Sequence, residues 1–146
     1  MNINLKGLSI IKEFESLKLN AYICPAGVPT IGYGHTGPEV DIGLTITQRQ
    51  ADDLLAKDLA KFELGVSGLV SVQLNENQFS ALVSFAYNCG LANLQQSTLL
   101  RYVNARKFEQ AADEFLKWNR ARKMVLPGLT RRRMAERSLF LSGDFS

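Results

Sequence analysis

The sequence predicts an α+β fold in which a small antiparallel-sheet lobe and a larger helical lobe are joined by a long helix, with a cleft between the lobes. The first observation behind this prediction is that turn-forming residues are concentrated in one stretch. Three of the four prolines and five of the eleven glycines lie between positions 25 and 43. β-Favouring residues are interleaved with them, so we expect a small antiparallel sheet over residues 20–45. The second observation is that apolar residues elsewhere recur at helical spacing.

The chain has 146 residues, the size of a single domain. We place the β-rich lobe at residues 16–46, the connecting helix at 47–65, and the helical lobe at 1–15 and 66–146. The connecting helix is too long to be buried inside the sheet lobe, so we expect it to bridge the two lobes. The junction of two lobes is the usual place for a substrate site.

The helices can be predicted in chain order. Residues 5–15 place apolar side chains on one face. Thr47 and Gln50 form a capping box at the start of the long helix, which should end near Gly65. Asn75–Gln78 should open another helix, and Gly90 should end it. Shorter helices are predicted around 97–104, 108–118 and 130–141, the last after the Pro127–Gly128 break.

The charge is unevenly distributed along the chain. Residues 1–100 have a balance of −3, whereas residues 101–146 have a balance of +6. A basic half suits a polyanionic partner such as nucleic acid, an anionic membrane face or an anionic wall polymer. A solvated helix surface explains the same charges equally well.

Other classes of protein are excluded by composition. No apolar run approaches the ~20 residues of a membrane span, and the first residues lack the pattern of a signal peptide, so we expect synthesis in a cytoplasm. Two cysteines, Cys24 and Cys89, do not make a disulfide framework. One histidine and no Cys-X-X-Cys motif predict no metal site, and no cofactor is expected.

Glu15 is the first candidate for chemistry. It ends the first predicted helix among apolar neighbours and precedes the turn-rich segment. A surface glutamate is the simpler interpretation, but the helix dipole disfavours an anion at this end. An acid fixed beside a half-exposed ribbon suits a site that cleaves carbohydrate, where it would donate a proton to the leaving oxygen.

Cys24, Thr30 and His35 lie on the same segment. Cys24 is either a small filler or a reactive thiol with His35 as its base, which would make a Cys–His hydrolase. The Thr30 hydroxyl either belongs to a strand residue or holds a water molecule. Further along, the arginines at 131–133 form either a nucleic-acid patch or a support in which one guanidinium pairs with Glu15.

These residues together resemble the phage-type lysozymes, the endolysins of glycoside hydrolase family 24. The family pattern is Glu, eight residues, Asp or Cys, five residues, then Thr-Ile-Gly-Tyr-Gly-His, and Glu15, Cys24 and residues 30–35 carry it here. The resemblance continues in family order over nearly the whole chain, through Gln78–Leu82, Asn88–Gly90, Ser97–Leu100, Trp118, Gly128–Leu129, Arg132–Arg133 and Ala135–Glu136. A long spaced signature is far more specific than any single motif.

The resemblance implies the lysozyme-like fold and a muramidase that hydrolyses the β-1,4 bond between N-acetylmuramic acid and N-acetylglucosamine in peptidoglycan. Glu15 would be the general acid, and Thr30 with Cys24 would place the attacking water. Site support would come from Tyr33, Gly34, His35, Arg132 and Arg133. Cys24 replaces the aspartate of better-known members, so it could hold water, act as a thiolate base or act as a nucleophile.

The resemblance also implies a partner and a location. We expect a monomer that acts on the peptidoglycan glycan strand and not on nucleic acid, and whose basic C-terminal helices could contact an anionic outer-membrane surface. It would stay in the host cytoplasm until a separate membrane pore releases it to the periplasm for bacteriolysis. The rivals are a lytic transglycosylase, which needs a single glutamate, and a non-catalytic wall- or membrane-binding module.

Overall fold

A computed structural model describes residues 1–142. Within this part of the chain seven helices and two small antiparallel sheets are formed, which agrees with the predicted α+β class. The helices are α1 (Leu5–Glu15), α2 (Gln48–Leu69), α3 (Glu76–Cys89), α4 (Leu91–Gln96), α5 (Thr98–Asn104), α6 (Phe108–Phe115) and α7 (Pro127–Ser142). The strands are β1 (Lys18–Ile23), β2 (Pro29–Gly32), β3 (Arg120–Ala121) and β4 (Met124–Val125).

The chain divides into two compact units. One, here called the sheet unit, comprises Ile11–Lys61 and contains β1 and β2. The other, the helical unit, comprises Met1–Ile10 and the chain from Phe62 onward.

The sheet unit is built on one antiparallel pair of strands. Tyr22 pairs with Thr30 and Ile23 with Pro29, and a bulge interrupts the register between Lys18 and Tyr22. The predicted sheet over residues 20–45 is shorter than expected, because its last part joins only through an isolated bridge between Asn20 and Thr45. The core of this unit is formed by Ile11, Ile31, Tyr33, Val40, Ala51, Leu55 and Leu59.

Helix α2 begins with the predicted capping box. The amide of Gln50 donates to Thr47 Oγ1 at 3.1 Å, and the amide of Thr47 donates to Gln50 Oε1 at 2.8 Å. The helix nevertheless continues to Leu69, so the predicted end near Gly65 is wrong. Gly65 instead lies where α4 approaches α2. A Cβ atom built there would lie 2.5 Å from Leu91 Cδ1, so the glycine permits close packing of α4.

The helical unit has its core around α3. Helix α3 opens after Asn75 and ends at Gly90, as predicted, and Asn75 caps it with a complete capping box. The short helix α4 that follows directly was not predicted. Helix α7 packs on α3, α6 packs on α7, and α5 packs on α6. Edge-on aromatic contacts join Phe85 to Phe115 and Trp118, with ring centroids 5.7 and 5.4 Å apart.

The chain between α6 and α7 departs most from prediction. Helix α6 ends at Phe115, three residues before its predicted end at 118, and a two-stranded hairpin follows at residues 120–125. Helix α7 begins at Pro127 instead of residue 130. Proline is well suited to a first helical position because its missing N–H would have no partner there and its φ is already helical.

Candidate active site

Glu15 is the last residue of α1 and is half-buried. The next residue, Ser16, has a φ of 61°, in the left-handed region that commonly ends a helix. The chain therefore turns sharply behind Glu15 and enters β1 two residues later. This turn fixes the backbone from which the carboxyl group projects.

Cys24 and Thr30 flank the tight turn between β1 and β2. The Gly27 amide donates to the Cys24 carbonyl at 2.8 Å, and the Cys24 amide donates to the Val28 carbonyl at 3.1 Å. Pro25 suits the second position of such a turn, and Gly27, with a φ of 81°, supplies the left-handed residue that completes it. The sequence Pro25–Gly27 thereby returns the chain so that position 24 and Thr30 come together.

Hydrogen bonds converge on the thiol of Cys24. They come chiefly from the backbone N–H of Val28, then from the Thr30 hydroxyl and the N–H of Ala26, and they hold the pKa of Cys24 below its ordinary value. Thr30 itself is buried, and its Oγ1 lies 2.9 Å from the Val28 carbonyl, to which it donates. A hydroxyl has one proton to donate, so Thr30 serves either that carbonyl or a Cys24 thiolate.

Two glycines form the turn after Thr30. Gly32 and Gly34 have φ values of 67° and 88°, which side-chain-bearing residues rarely adopt. On either side of the two glycines, Ile31 and His35 exchange two backbone hydrogen bonds of 2.9 and 2.8 Å. Tyr33 at the tip is buried, and its hydroxyl accepts from Gln48 Nε2 at 3.0 Å.

His35 is buried between two carboxylates. Its Nδ1 lies 2.7 Å from Asp58 Oδ2, and its Nε2 lies 2.6 Å from Glu39 Oε1. Burial opposes the charged imidazolium, but the hydrogen bonds that the ring donates to Glu39 and Asp58 outweigh it, and the pKa of His35 is raised. The hydrogen bond to His35 lowers the pKa of Glu39 in turn. Because both ring nitrogens face carboxylates, only the doubly protonated ring can satisfy both.

Sequence reasoning did not find Asp58 or Glu39. Glu39 lies four residues after His35, a spacing that is informative only if the backbone between them is known. Asp58 lies 23 residues away on α2, and no local pattern connects it to His35. His35 is therefore held by carboxylates and is not placed as the base of Cys24, so the predicted Cys–His arrangement has no geometric support here.

A hollow of about 340 Å³ lies beside this network. Its lining includes Ile31, His35, Glu39, Val40, Leu44 and Leu54. Successive residues of a strand point to opposite faces, so the hollow that receives Ile31 is on the opposite face of β2 from Thr30. None of the predicted catalytic residues Glu15, Cys24 and Thr30 lines it, although Ile31 and His35 of the same signature do.

Arg132 and Arg133 are buried in the helical unit, where both contact Glu136. Arg132 Nε lies 3.2 Å from Glu136 Oε2, and Arg133 Nε lies 2.9 Å from Glu136 Oε1. The carboxylate also accepts from Ser84 Oγ at 2.5 Å. Burial raises the pKa of Glu136, and the two guanidiniums oppose that effect. The predicted role of these arginines beside Glu15 stays a prediction.

Arg133 also connects α7 to the end of α3. Its Nη1 and Nη2 donate to Cys89 Sγ at 2.6 Å and Asn88 Oδ1 at 2.7 Å. Burial raises the pKa of Cys89, whereas hydrogen bonds lower the pKa of Cys24. Neither of the two cysteines is in a disulfide. The i+3 and i+4 spacing of Glu136 from the arginines was visible in the sequence, but the burial of all three was not.

Neither a metal cluster nor a membrane span is found in the described part of the chain. Residues 1–142 contain no group of three or more His, Cys, Asp or Glu side chains that could hold a metal ion. Among the same residues, no helix combines the length and the apolar character needed to cross a bilayer.

Known proteins share this fold and sequence. The chain is 48% identical over 149 residues to an endolysin of Bacillus phage B103, a match that covers 99% of this chain and 56% of the relative. It therefore spans little more than half the length of that relative. A mutant of P22 lysozyme superposes with a TM-score of 0.89 at 41% identity, covering 97% of this chain and 99% of the other.

A second solved structure is equally similar. The muramidase domain of SpmX from Asticaccaulis excentricus superposes with a TM-score of 0.91 at 41% identity, covering 96% of this chain and 97% of that one. These superpositions confirm the predicted lysozyme-like α+β fold. The family model for phage lysozyme matches residues 12–136, a range that contains Glu15, Cys24, Thr30 and the buried arginines. The chain belongs to the phage lysozyme family.

Proposed function

We propose that this chain is an endolysin muramidase that hydrolyses the β-1,4 bond between N-acetylmuramic acid and N-acetylglucosamine in bacterial peptidoglycan. Family membership supports a lytic glycoside hydrolase, and the P22 and SpmX structures are described as a lysozyme and a muramidase domain. The observation that carries the proposal lies in the sheet unit. A half-buried acid, Glu15, ends α1, and the hairpin that follows brings together Thr30 and Cys24, whose pKa is lowered there.

Glu15 acts as the general acid in this proposal. Its protonated carboxyl donates to the glycosidic oxygen as the bond to the anomeric carbon breaks. A water molecule held by Thr30 and Cys24 supplies the oxygen that bonds to that carbon. The water gives one proton to the Cys24 thiolate and its other proton stays on the new hydroxyl. Before the next turnover Cys24 releases its proton to solvent and Glu15 takes one up from solvent.

Cys24 is the unusual member of the pair, because an inverting hydrolysis ordinarily uses a second carboxylate as base. A thiol of ordinary pKa is largely protonated at neutral pH and is a weak base. The hydrogen bonds from Val28, Thr30 and Ala26 favour the thiolate and so supply part of the missing base function. Tyr33, Gly34 and His35 shape the turn that carries Thr30.

The decisive experiment compares the products of the wild-type protein and Glu15→Gln on purified peptidoglycan. Loss of the proton donor should lower the rate by about 10²–10⁴-fold. Glu13→Gln, an exposed carboxylate on the same helix, is the matched control and should leave the rate unchanged. Clearing that survives Glu15→Gln would show that the lysis is not glycosidic, and a product one water lighter would identify a lytic transglycosylase.

A substitution series at Cys24 separates its three possible roles. If the thiol holds water and accepts its proton, Cys24→Asp should keep most of the activity, Cys24→Ser should retain more than Cys24→Ala, and neither should abolish it. Inactivation by Ser as well as Ala, together with inactivation of the wild type by thiol alkylation, would instead indicate an obligatory thiolate. A trapped glycosyl–cysteine adduct in mass spectra would indicate a nucleophile.

The proposed setting follows from the reaction. The enzyme works as a monomer on the glycan strand and reaches the wall through a separate membrane pore. Cell fractionation with and without such a pore tests the second statement, because protein found outside the membrane in pore-free cells would contradict it. Gel filtration with light scattering tests the first.

A further inference from the structure

An exposed hairpin of the helical unit carries basic and apolar side chains together. In it Arg120 pairs with Val125 and Ala121 with Met124. All eight residues from 120 to 127 are exposed, a longer exposed run than any other in the described part of the chain. Met124 and Val125 are 65% and 49% exposed. The hairpin therefore adds little to the core and presents its side chains outward.

The tip of the hairpin holds two cations in an unusual backbone conformation. Arg122 and Lys123 have φ values of 51° and 68°. A two-residue hairpin turn of this kind is normally made by Asn-Gly or Gly, because other residues are strained at positive φ. Residues kept in strained conformations are common in functional segments. Turn formation by itself would favour asparagine or glycine at these two positions, so it does not account for the two basic side chains.

Among residues 1–142, no carboxylate pairs with the cations of the hairpin. Nearby on α7, Arg137 is neutralised by Asp113, with Nη2 3.0 Å from Oδ1. By contrast, no described residue forms a salt bridge with Arg120, Arg122 or Lys123. Arg132 and Arg133, in the run that the sequence suggested as part of a basic helix surface, are 2% and 0% exposed. The hairpin therefore presents positive charge at the protein surface, whereas the two buried arginines of α7 do not.

A groove with both apolar and polar walls continues from the base of the hairpin. Leu126 donates its amide to the Asn119 carbonyl at 3.0 Å, and Asn119 Nδ2 lies 3.1 Å from Thr130 Oγ1 on α7. The groove, of about 230 Å³, is lined by Leu116, Asn119, Thr130, Met134, Arg137 and Ser138. Met134 is 56% exposed. Apolar surface therefore extends from the hairpin into the groove.

We propose that this hairpin docks on an anionic phospholipid surface. The three cations contact headgroup phosphates, while Met124 and Val125 enter the boundary between headgroups and acyl chains. A polyanion such as nucleic acid or a wall polymer would match the charges but offer no apolar phase for Met124, Val125 and Met134. A lipid interface provides both environments side by side. The proposal does not depend on the reaction proposed above.

Co-sedimentation with phosphatidylglycerol and phosphatidylcholine vesicles at low salt tests the charge contribution. Each basic residue near an anionic surface strengthens partitioning by about five-fold. The triple change Arg120→Gln, Arg122→Gln and Lys123→Gln should therefore weaken binding to phosphatidylglycerol by about 100-fold. The control changes Lys6→Gln, Arg49→Gln and Lys107→Gln, all at exposed positions, alter net charge equally and should weaken it by less than about five-fold.

The apolar contribution is tested separately with Met124→Ser and Val125→Ser. This double change should weaken vesicle binding by about ten-fold, since partly buried apolar side chains no longer enter the lipid. Leu5→Ser and Leu64→Ser remove side chains that are 81% and 76% exposed elsewhere and should have no effect. Both hairpin variants should degrade lipid-free peptidoglycan at the wild-type rate, which keeps the outcome separate from hydrolysis.

Two results would overturn the proposal. One is equal vesicle binding by the hairpin triple variant and its control. The other is vesicle binding that is weakened by the charge changes but not by Met124→Ser and Val125→Ser, together with equal retention of the wild type and this double variant on dextran sulfate. These two observations would identify a polyanion as the partner. Unchanged unfolding midpoints of all variants ensure that the comparison is made between folded proteins.

Discussion

The two units contain buried charge clusters of opposite sign. In the sheet unit a histidine lies between the carboxylates of Asp58 and Glu39, and in the helical unit a carboxylate, Glu136, lies between two arginines. The helical cluster is fully enclosed, whereas the side chain of Glu39 is 58% exposed. Arginine keeps its charge at any accessible pH, but histidine does not. The positive charges of the helical cluster are therefore permanent, whereas the positive charge of the sheet-unit cluster depends on pH.

Glu136→Gln should give the largest effect, because it removes the carboxylate that lies between two permanently charged arginines. The change leaves two buried guanidiniums without a counter-charge, which costs about 3–5 kcal/mol of unfolding free energy. Urea denaturation followed by circular dichroism measures this loss, with the exposed Glu109→Gln as control. A loss below ~1 kcal/mol would mean that solvent reaches the arginines and that the cluster is not closed.

Asp58→Asn should have an intermediate effect that depends on pH. It removes a charged hydrogen bond to a buried ring, so we expect a loss of about 1.5–3 kcal/mol near pH 5.5. The pKa of His35 is raised above its ordinary 6.5, so the stabilisation is fully present below pH 6.5 and is lost as pH rises through the folded-state value. Wild type and variant should therefore converge in stability at alkaline pH.

Denaturation of wild type, Asp58→Asn and His35→Gln across pH 5–10 measures this dependence. The His35→Gln protein should lack the alkaline fall in stability that the wild type shows. If the stability of the wild type and of His35→Gln falls with the same slope at alkaline pH, a group other than His35 titrates there. The contrast between the two clusters would then be wrong.

Glu39→Gln should give the smallest effect of the three. Its carboxylate is more exposed than that of Asp58, at 58% against 25% of the side chain, so water screens its interaction with His35. The lowered pKa of Glu39 means that its contribution is present above its ordinary pKa and is lost as pH falls through the lowered folded-state value. Unfolding at pH 3 and pH 6 measures this, and a loss equal to that of Asp58→Asn would contradict the ranking.

Sequence reasoning succeeded where the signal was local. The predicted Thr47–Gln50 capping box connects residues three apart, and helices α2 and α3 both begin as predicted. The spaced signature likewise located the turn around Gly32 and Gly34, because glycine is needed where φ is positive.

Sequence reasoning failed where the partners are distant or the local chemistry is atypical. Ser84 meets Glu136 across 52 residues, and no spacing rule indicates that contact. The hairpin at 120–125 lacks the Asn-Gly signal of a tight turn, since Arg122 and Lys123 occupy its left-handed positions. Its strands are two residues each, too short to show alternation.

Helix α2 has a consequence for attempts to stabilise the protein. Replacing helical glycine with alanine is a common engineering step and gains about 0.5–1 kcal/mol at an open site. Gly68 is such a site, because a Cβ atom there meets nothing within 4 Å. Gly65, one turn earlier, faces Leu91, and the same replacement would push α4 away at a cost of about 1 kcal/mol or more. A design rule that treats the two glycines alike would cancel its own benefit.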